Sequence, residues 1–400
     1  MVPSGWFFSR LEHLYEFKNG LNADKTSYGH GLPFVNVMDI FGSDELTADT
    51  LKGTVSVPEK QKKELLVKKG DVLFNRTSET VEEIAYSAVY VDQEPAVFGG
   101  FVIRGRPKTE LVDCYFSKYL FKSSQFRKKA IKSCQGAVRA NIGQKDLGKI
   151  EVLLPPLPEQ KKIALTLSSW DQAITATECL LENSQQRKKG LMQQLLTGEK
   201  RLLGFEGEWK WLKANEIFRT VSKKSNGDQE ELLAVTQDQG VLPRSLLERR
   251  VVMPDGTTSG YKLAVPGNFI ISLRSFQGGL EYSHYRGLVS PAYTVLEPLR
   301  EISDGFYRQY YKSYDFIGHL AVAVIGIRDG KQISYSDFSF LKIPYPPLDE
   351  QNAISNVLAV ADGEIKALKE RLNLLQQEKR FLLEQLLTGK RRVHVDTEAA

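Results

Sequence analysis

The chain has 400 residues, enough for two or more domains with separate cores, and its 42% apolar and 26% charged residues are those of an ordinary globular protein. No apolar run approaches the ~20 residues that span a bilayer, and the start Met-Val-Pro-Ser-Gly-Trp lacks a signal-peptide pattern, so a cytoplasmic protein with no membrane partner is expected. Three widely spaced cysteines and five scattered histidines argue against a metal site, while a net charge of +5 suits a polyanionic partner without identifying one.

Residues 1–154 come first and read as an α+β domain of short strands. Apolar runs at 71–74 and 101–103 predict strands, and Gly99-Gly100 predicts a turn. Polar and basic side chains cluster where the strands run into loops: Arg76, Thr77 and Ser78, then Arg104, then Gln135, Arg139 and Asn141. Arginine can pair bidentately with guanine, and Asn or Gln with adenine, so these seven are the candidate DNA contacts of this domain. Lysine and serine more often hold phosphates.

Pro155-Pro156 then opens a different kind of segment, spanning 155–200. Ile163, Leu167, Trp170, Ile174, Thr177, Leu181, Ser184, Lys188, Leu191 and Leu195 are spaced alternately by four and three, which keeps one seam of a helix turned toward a partner helix. The prolines bar helix on their N-terminal side, and Gly198 suits the left-handed residue that ends one. About 38 residues at a rise of 1.5 Å would make a rod of roughly 57 Å.

A second variable segment, 201–345, carries strand-like runs at 269–273 and 293–296 and turn signals at Asp255-Gly256 and Gly278-Gly279. Its candidate DNA contacts are Arg274, Ser275, Gln277, Arg286, Arg328, Lys331 and Gln332. A second helical segment at 346–390 has its seam at Ile354, Leu358, Ala361, Ile365, Leu368, Leu372, Leu375, Lys379, Leu382 and Leu386. Residues 391–400 are expected to be a disordered tail.

The two helical segments are copies. Pro-Pro-Leu-x-Glu-Gln at 155–160 recurs at 346–351, and Gln-Leu-Leu-Thr-Gly at 194–198 recurs at 385–389, both at an offset of 191 residues with about 20 of ~44 positions identical. A fainter echo relates Trp6 to Trp209 and Tyr15 to Phe218, at an offset of 203. Helices this long rarely stay ordered alone, so pairing of the two is expected, as an antiparallel coiled coil in which Trp170 and Ala361, or Ser184 and Leu375, offer complementary sizes. An antiparallel pair would relate the halves by a pseudo-two-fold axis and set half-site centres between one and two DNA turns apart.

Catalytic signatures are missing. The prolines are not preceded by Asn or Asp as in an adenine amino-methyltransferase motif, no GxxxxGK[ST] loop is present, and no nucleophile triad or carboxylate cluster stands out. Two rival readings remain: an enzyme domain fused to a reader, and a coiled-coil adaptor that binds only protein.

Taken together, the duplicated Pro-Pro-Leu-x-Glu-Gln, the helix behind each copy and the closing Gln-Leu-Leu-Thr-Gly resemble the specificity subunit of type I restriction–modification systems, over essentially the whole chain. Leu-Leu-Ala-Val-Thr at 232–236 and Val-Ser-Pro-Ala-Tyr at 289–293 look like further landmarks of that family. The resemblance implies two target-recognition domains, each reading half of a bipartite asymmetric site on double-stranded DNA. It implies helices that serve as spacer and as scaffold for two methyltransferase subunits, with restriction/translocase subunits completing the complex. It also implies that the chain is not an enzyme and binds no cofactor or metal, since S-adenosylmethionine, ATP and Mg would act in the partner subunits.

Overall fold

A computed structural model describes residues 2–136, 139–223, 230–237, 239–247, 260–323 and 333–395, except the side chains of Phe276 and of 321–323. The chain divides into two compact units, Met1–Thr177 with Arg371–Ala400, and Glu178–Glu370. Each unit therefore takes half of both long helices, whereas the sequence reading set each helix apart as a segment of its own.

The first unit is built on a five-stranded sheet ordered Tyr15–Asn19, Val102–Pro107, Val72–Asn75, Ser87–Tyr90 and Glu45–Leu46, antiparallel except for its last pair. The run Val72-Leu73-Phe74-Asn75 is wholly buried, as a central strand covered on both faces must be. Alternate side chains enter different cores: Val72, Phe74 and Ile103 face helices Cys114–Leu120 and Ser124–Lys132, while Leu73, Ala88 and Val102 pack toward a second, three-stranded sheet. The N-terminal strand Phe7–Arg10 pairs antiparallel with Glu151–Leu154. That pairing ties the chain start to the strand feeding the first long helix.

The second unit repeats the plan with four strands, ordered Phe218–Val221, Thr294–Pro298, Phe269–Ile271 and Glu281–Tyr282. Phe269 and Ile271 lie in one core and Ile270 in another. Lys210–Lys213 pairs with Lys342–Tyr345, as Phe7–Arg10 does with Glu151–Leu154. Helices Asp304–Tyr310 and Tyr314–Ala323 stand where Cys114–Leu120 and Ser124–Lys132 stand in the first unit.

The long helices run Leu157–Leu196 and Leu348–Leu387, 40 residues each. Every position of the two seams is buried or half-buried, including the polar Thr177, Ser184, Lys188 and Lys379. Gly198 and Gly389 have φ of 75° and 69°, the left-handed conformation expected at these helix ends. Within the first unit, Ile163 and Leu167 share a core with Leu383, Leu386 and Leu387, and Asp171 meets Lys379. Within the second, Leu195 shares a core with Ile354 and Leu358, and Lys188 meets Asp362 at 2.7 Å. Partner numbers fall on one helix as they rise on the other, so in each unit the two helices pair antiparallel.

The expected complementary sizes take another form. Trp170 borders a cleft with Phe381 and Leu382, and the small Ser184 serves a hydrogen bond, donating to Glu364 Oε1 at 2.9 Å. In the segment expected to be a disordered tail, Arg392 pairs with Glu159 and Val393 packs on the core; 396–400 lie outside the described residues.

Candidate nucleic-acid interface

In the first unit, the short strand Thr77–Ser78 pairs with Ala140–Asn141, and Gln135 bridges back to Asn141. This brings six of the seven sequence-predicted contacts to one place. Arg76 donates its backbone N–H to Phe101 O at 2.9 Å and accepts from Ile142 N at 3.0 Å. Thr77 Oγ1 donates to Asn141 Oδ1 at 3.2 Å. Gln135 and Arg139 are exposed, with Arg139 only loosely paired to the exposed Glu79 at 3.5 Å. Such a pair is worth little and can exchange for a phosphate or a base. Ser78 is less available, because its hydroxyl is bound to Glu83.

Arg104 is a correction. It is 3% exposed, its Nη1 donates to the carbonyls of Glu64 and Leu66 at 2.9 and 2.7 Å, and Asp71 lies 3.9 Å from its Nε. Burial, and then the neighbouring Arg106, pull its guanidinium below the ordinary arginine range. Arg104 is a strut inside the unit rather than a contact for DNA. Its position on a central strand, Val102–Pro107, was the missed signal.

In the second unit Arg274 and Gln277 are exposed beside one another at the short helix Ser275–Gly278. Ser275 is a second correction: it is 1% exposed, and its hydroxyl accepts from Ser272 N at 2.8 Å. Arg286 is exposed but makes two bonds, of 2.9 and 3.0 Å, to Glu230 Oε1. Arg328, Lys331 and Gln332 lie outside the described residues. Sequence reading missed Gln237, whose Nε2 donates to Arg274 O at 3.1 Å, and with it Gln239, His284 and Arg308. All four line a cleft of about 480 Å³. They are scattered in sequence, and only the fold collects them.

The repeated motif residues are structural. Gln160 Oε1 accepts from Asp113 N at 2.8 Å and its Nε2 donates to Pro155 O and Leu111 O; Gln351 likewise accepts from Ser303 N at 2.9 Å and donates to Pro346 O. Glu159 receives the Trp6 indole N–H at 3.2 Å and the guanidinium of Arg392. Glu350 receives the Trp209 indole at 2.9 Å and Arg201. The opening Glu of each long helix is thus clasped by an arginine just beyond the end of the other. The Trp6/Trp209 echo marked one half of this clasp in the sequence, and Arg201 and Arg392 share the 191-residue offset.

A second repeated cluster joins helices to domain. Asp171 bonds Tyr119 Oη at 2.7 Å, Lys118 Nζ at 3.0 Å and Lys379, and Lys118 also reaches Glu45 at 2.9 Å. Burial pushes the Asp171 carboxyl up, but the bonds from Lys379, Tyr119 and Lys118 outweigh it and hold the group below the usual range. In the second unit Asp362 takes Lys188 and Gln309, both at 2.7 Å.

Among the described residues, no group of three or more His, Cys, Asp or Glu is placed to hold a metal ion, and no helix is long and apolar enough to cross a membrane. The fold defines a class: a duplicated α+β protein in which each of two units takes half of both long helices.

Residues 3–183 match the family described as the type I restriction modification DNA specificity domain. The putative type I restriction enzyme MjaX specificity subunit of Methanocaldococcus jannaschii is 27% identical over 419 residues, covering 98% of this chain and 95% of that protein. Among solved structures, the S subunit of a type I restriction-modification system from M. genitalium aligns with a TM-score of 0.55 at 15% identity, over 95% of this chain and 96% of that one. A chain from a structure on complex assembly and conformational transition of the type I R-M system gives a TM-score of 0.61 at 18% identity, over 98% and 100% of the two chains. The chain is thus similar to type I restriction–modification specificity subunits over nearly its whole length.

Proposed function

We propose that each unit reads one half of a bipartite, non-palindromic site on duplex DNA, and that the paired helices carry two methyltransferase subunits, with restriction/translocase subunits joining them. The observation that supports this most directly is a contrast between the two repeats. The Trp–Glu–Arg clasp and the Asp–Lys pair of the second cluster are duplicated residue for residue, whereas the loop faces are not: Arg76, Thr77, Arg139 and Asn141 in one, Arg274, Gln277 and Gln237 in the other. A conserved frame holding unlike polar faces suits two different half-sites read by one chain.

In this reading the chain performs no chemistry. It contributes phosphate contacts that set register and base-edge contacts that select sequence. Methyl transfer with S-adenosylmethionine, and ATP- and Mg-dependent translocation and cleavage, belong to the partners, and the complex works in the cytoplasm.

The test uses the chain assembled with its methyltransferase partner and a library of random duplexes. Selected duplexes share a two-part motif with an unread gap, and affinity falls steeply with salt, as phosphate neutralisation requires. An assembled complex that retains no duplex would leave the protein-only adaptor as the better reading. Methyl transfer or cleavage by the purified chain alone would favour the enzyme.

A further inference from the structure

One large apolar side chain stands out of the first unit beside the proposed DNA face. Phe101 is 64% exposed. It sits on a tight turn leading into the strand Val102–Pro107, closed by a bond from Val102 N to Gly99 O at 2.9 Å. The turn is rigid: a side chain on Gly99 would press on the Phe34 ring at 2.7 Å, and one on Gly100 would strike Asn22 Oδ1 at 1.9 Å. Arg76 clamps it further, its backbone N–H donating to Phe101 O at 2.9 Å and its Nη1 to Gly100 O at 3.3 Å. Ile142 N in turn donates to Arg76 O, so Phe101, Arg76 and the Thr77/Asn141 pair are direct neighbours.

The second unit builds the same turn. Tyr293 N donates to Ser290 O at 3.0 Å just ahead of the strand Thr294–Pro298. Strand register pairs Ile103 with Phe74 and Thr294 with Ile271, which makes Ala292 the counterpart of Phe101. Ala292 is exposed too. The fold keeps the turn and varies the side chain it presents, a pattern that packing does not demand and recognition does.

We propose that Phe101 is a specificity-determining residue of the first unit, packing its ring on the 5-methyl group of a thymine next to the bases met by Arg76 and Asn141. This rests on the reading of that face as a DNA interface. Guanidinium and amide groups match the hydrogen-bonding edges of the major groove, and the apolar group exposed there is the thymine methyl.

The experiment compares wild type, Phe101→Ala and Phe101→Leu, each assembled with the methyltransferase partner, on random duplexes and on duplexes carrying deoxyuridine for thymine. Wild type is expected to require thymine at one position of one half-site. Phe101→Ala should lower that preference roughly five- to hundredfold, the span of a single lost base contact. Phe101→Leu should keep most of it. The other half-site and the thermal unfolding curve should not move. Deoxyuridine should weaken wild type and leave Phe101→Ala unaffected. Unchanged preference at every position, equal weakening on all duplexes, or loss of the methyltransferase subunits would each overturn the assignment. A wild-type complex with no two-part site would bring down the broader reading itself, visibly before any variant is compared.

Discussion

Arg201 grips Glu350 with two parallel bonds, Nε to Oε1 at 2.5 Å and Nη2 to Oε2 at 2.6 Å, and the carboxylate side chain is fully buried. One residue lies just past the end of the first long helix, the other in the first turn of the second. Removing the acid leaves the Trp209 indole N–H without its acceptor, and Arg201 with only the carbonyls of Gly207 and Glu206. Glu350→Ala should lower the free energy of unfolding by about 3 kcal/mol, read from denaturant midpoints. The matching Glu159→Ala should lose less, because Arg392 is more open to solvent, with a side-chain exposure of 43% against 22% for Arg201.

Asp171 supplies a pH signature. Its carboxyl is held below the ordinary value of 3.8 in the folded chain, so the unfolded state binds its proton first as pH drops. The stabilisation is therefore full above that value and lost as pH falls below it through the native one. Wild type should lose more stability in that acid window than Asp171→Asn does, measured by unfolding at a series of pH values. Parallel curves for the two proteins would show that the cluster of Lys118, Tyr119 and Lys379 contributes nothing.

Tyr311 is buried in an aromatic cluster with Phe218, Phe269 and Phe316, and its hydroxyl has no hydrogen-bond partner among the described residues. Burial, followed by the neighbouring Tyr307 and Tyr310, drives its pKa well above that of free tyrosine. Tyr311→Phe removes an unsatisfied polar atom without opening a cavity, so it should be neutral or raise stability by up to ~1 kcal/mol in thermal unfolding. A clear loss would reveal a partner for the hydroxyl.

Arg104 and Arg139 should separate stability from recognition. Arg104→Ala leaves the Glu64 carbonyl without its donor, while Arg106 keeps Asp71 and the Leu66 carbonyl paired, and should cost about 2 kcal/mol of stability while leaving the sequence preference of correctly folded protein intact. Arg139→Ala should leave unfolding unchanged and, if the contact is bidentate, relax one position of one half-site by ~1–3 kcal/mol. Equal weakening on every sequence would assign Arg139 to phosphate instead.

The helices were the legible part of the sequence. A seam from Ile163 to Leu195 and another from Ile354 to Leu386 repeat a short-range spacing, and periodicity of that kind reports which face is buried. The prolines before them and Gly198 and Gly389 after them act locally, so the ends were legible too. The loop faces were not. Arg104 and Arg139 look alike as isolated basic residues, and only the long-range pairing of Val102–Pro107 with Val72–Asn75 buries the first. Ser275 was misread because a short loop folds its hydroxyl back onto Ser272. Gln237 could not be associated with Arg274, or with Arg308 across the cleft, from sequence, since only the fold brings them together.

The most direct test of two readers in one chain is a map of methylated adenines in a host carrying this chain with its methyltransferase partner. The expected map shows a single asymmetric motif in two parts, with a gap whose bases vary freely. A contiguous motif, or a palindrome whose halves are identical, would contradict two unlike units each reading its own half-site.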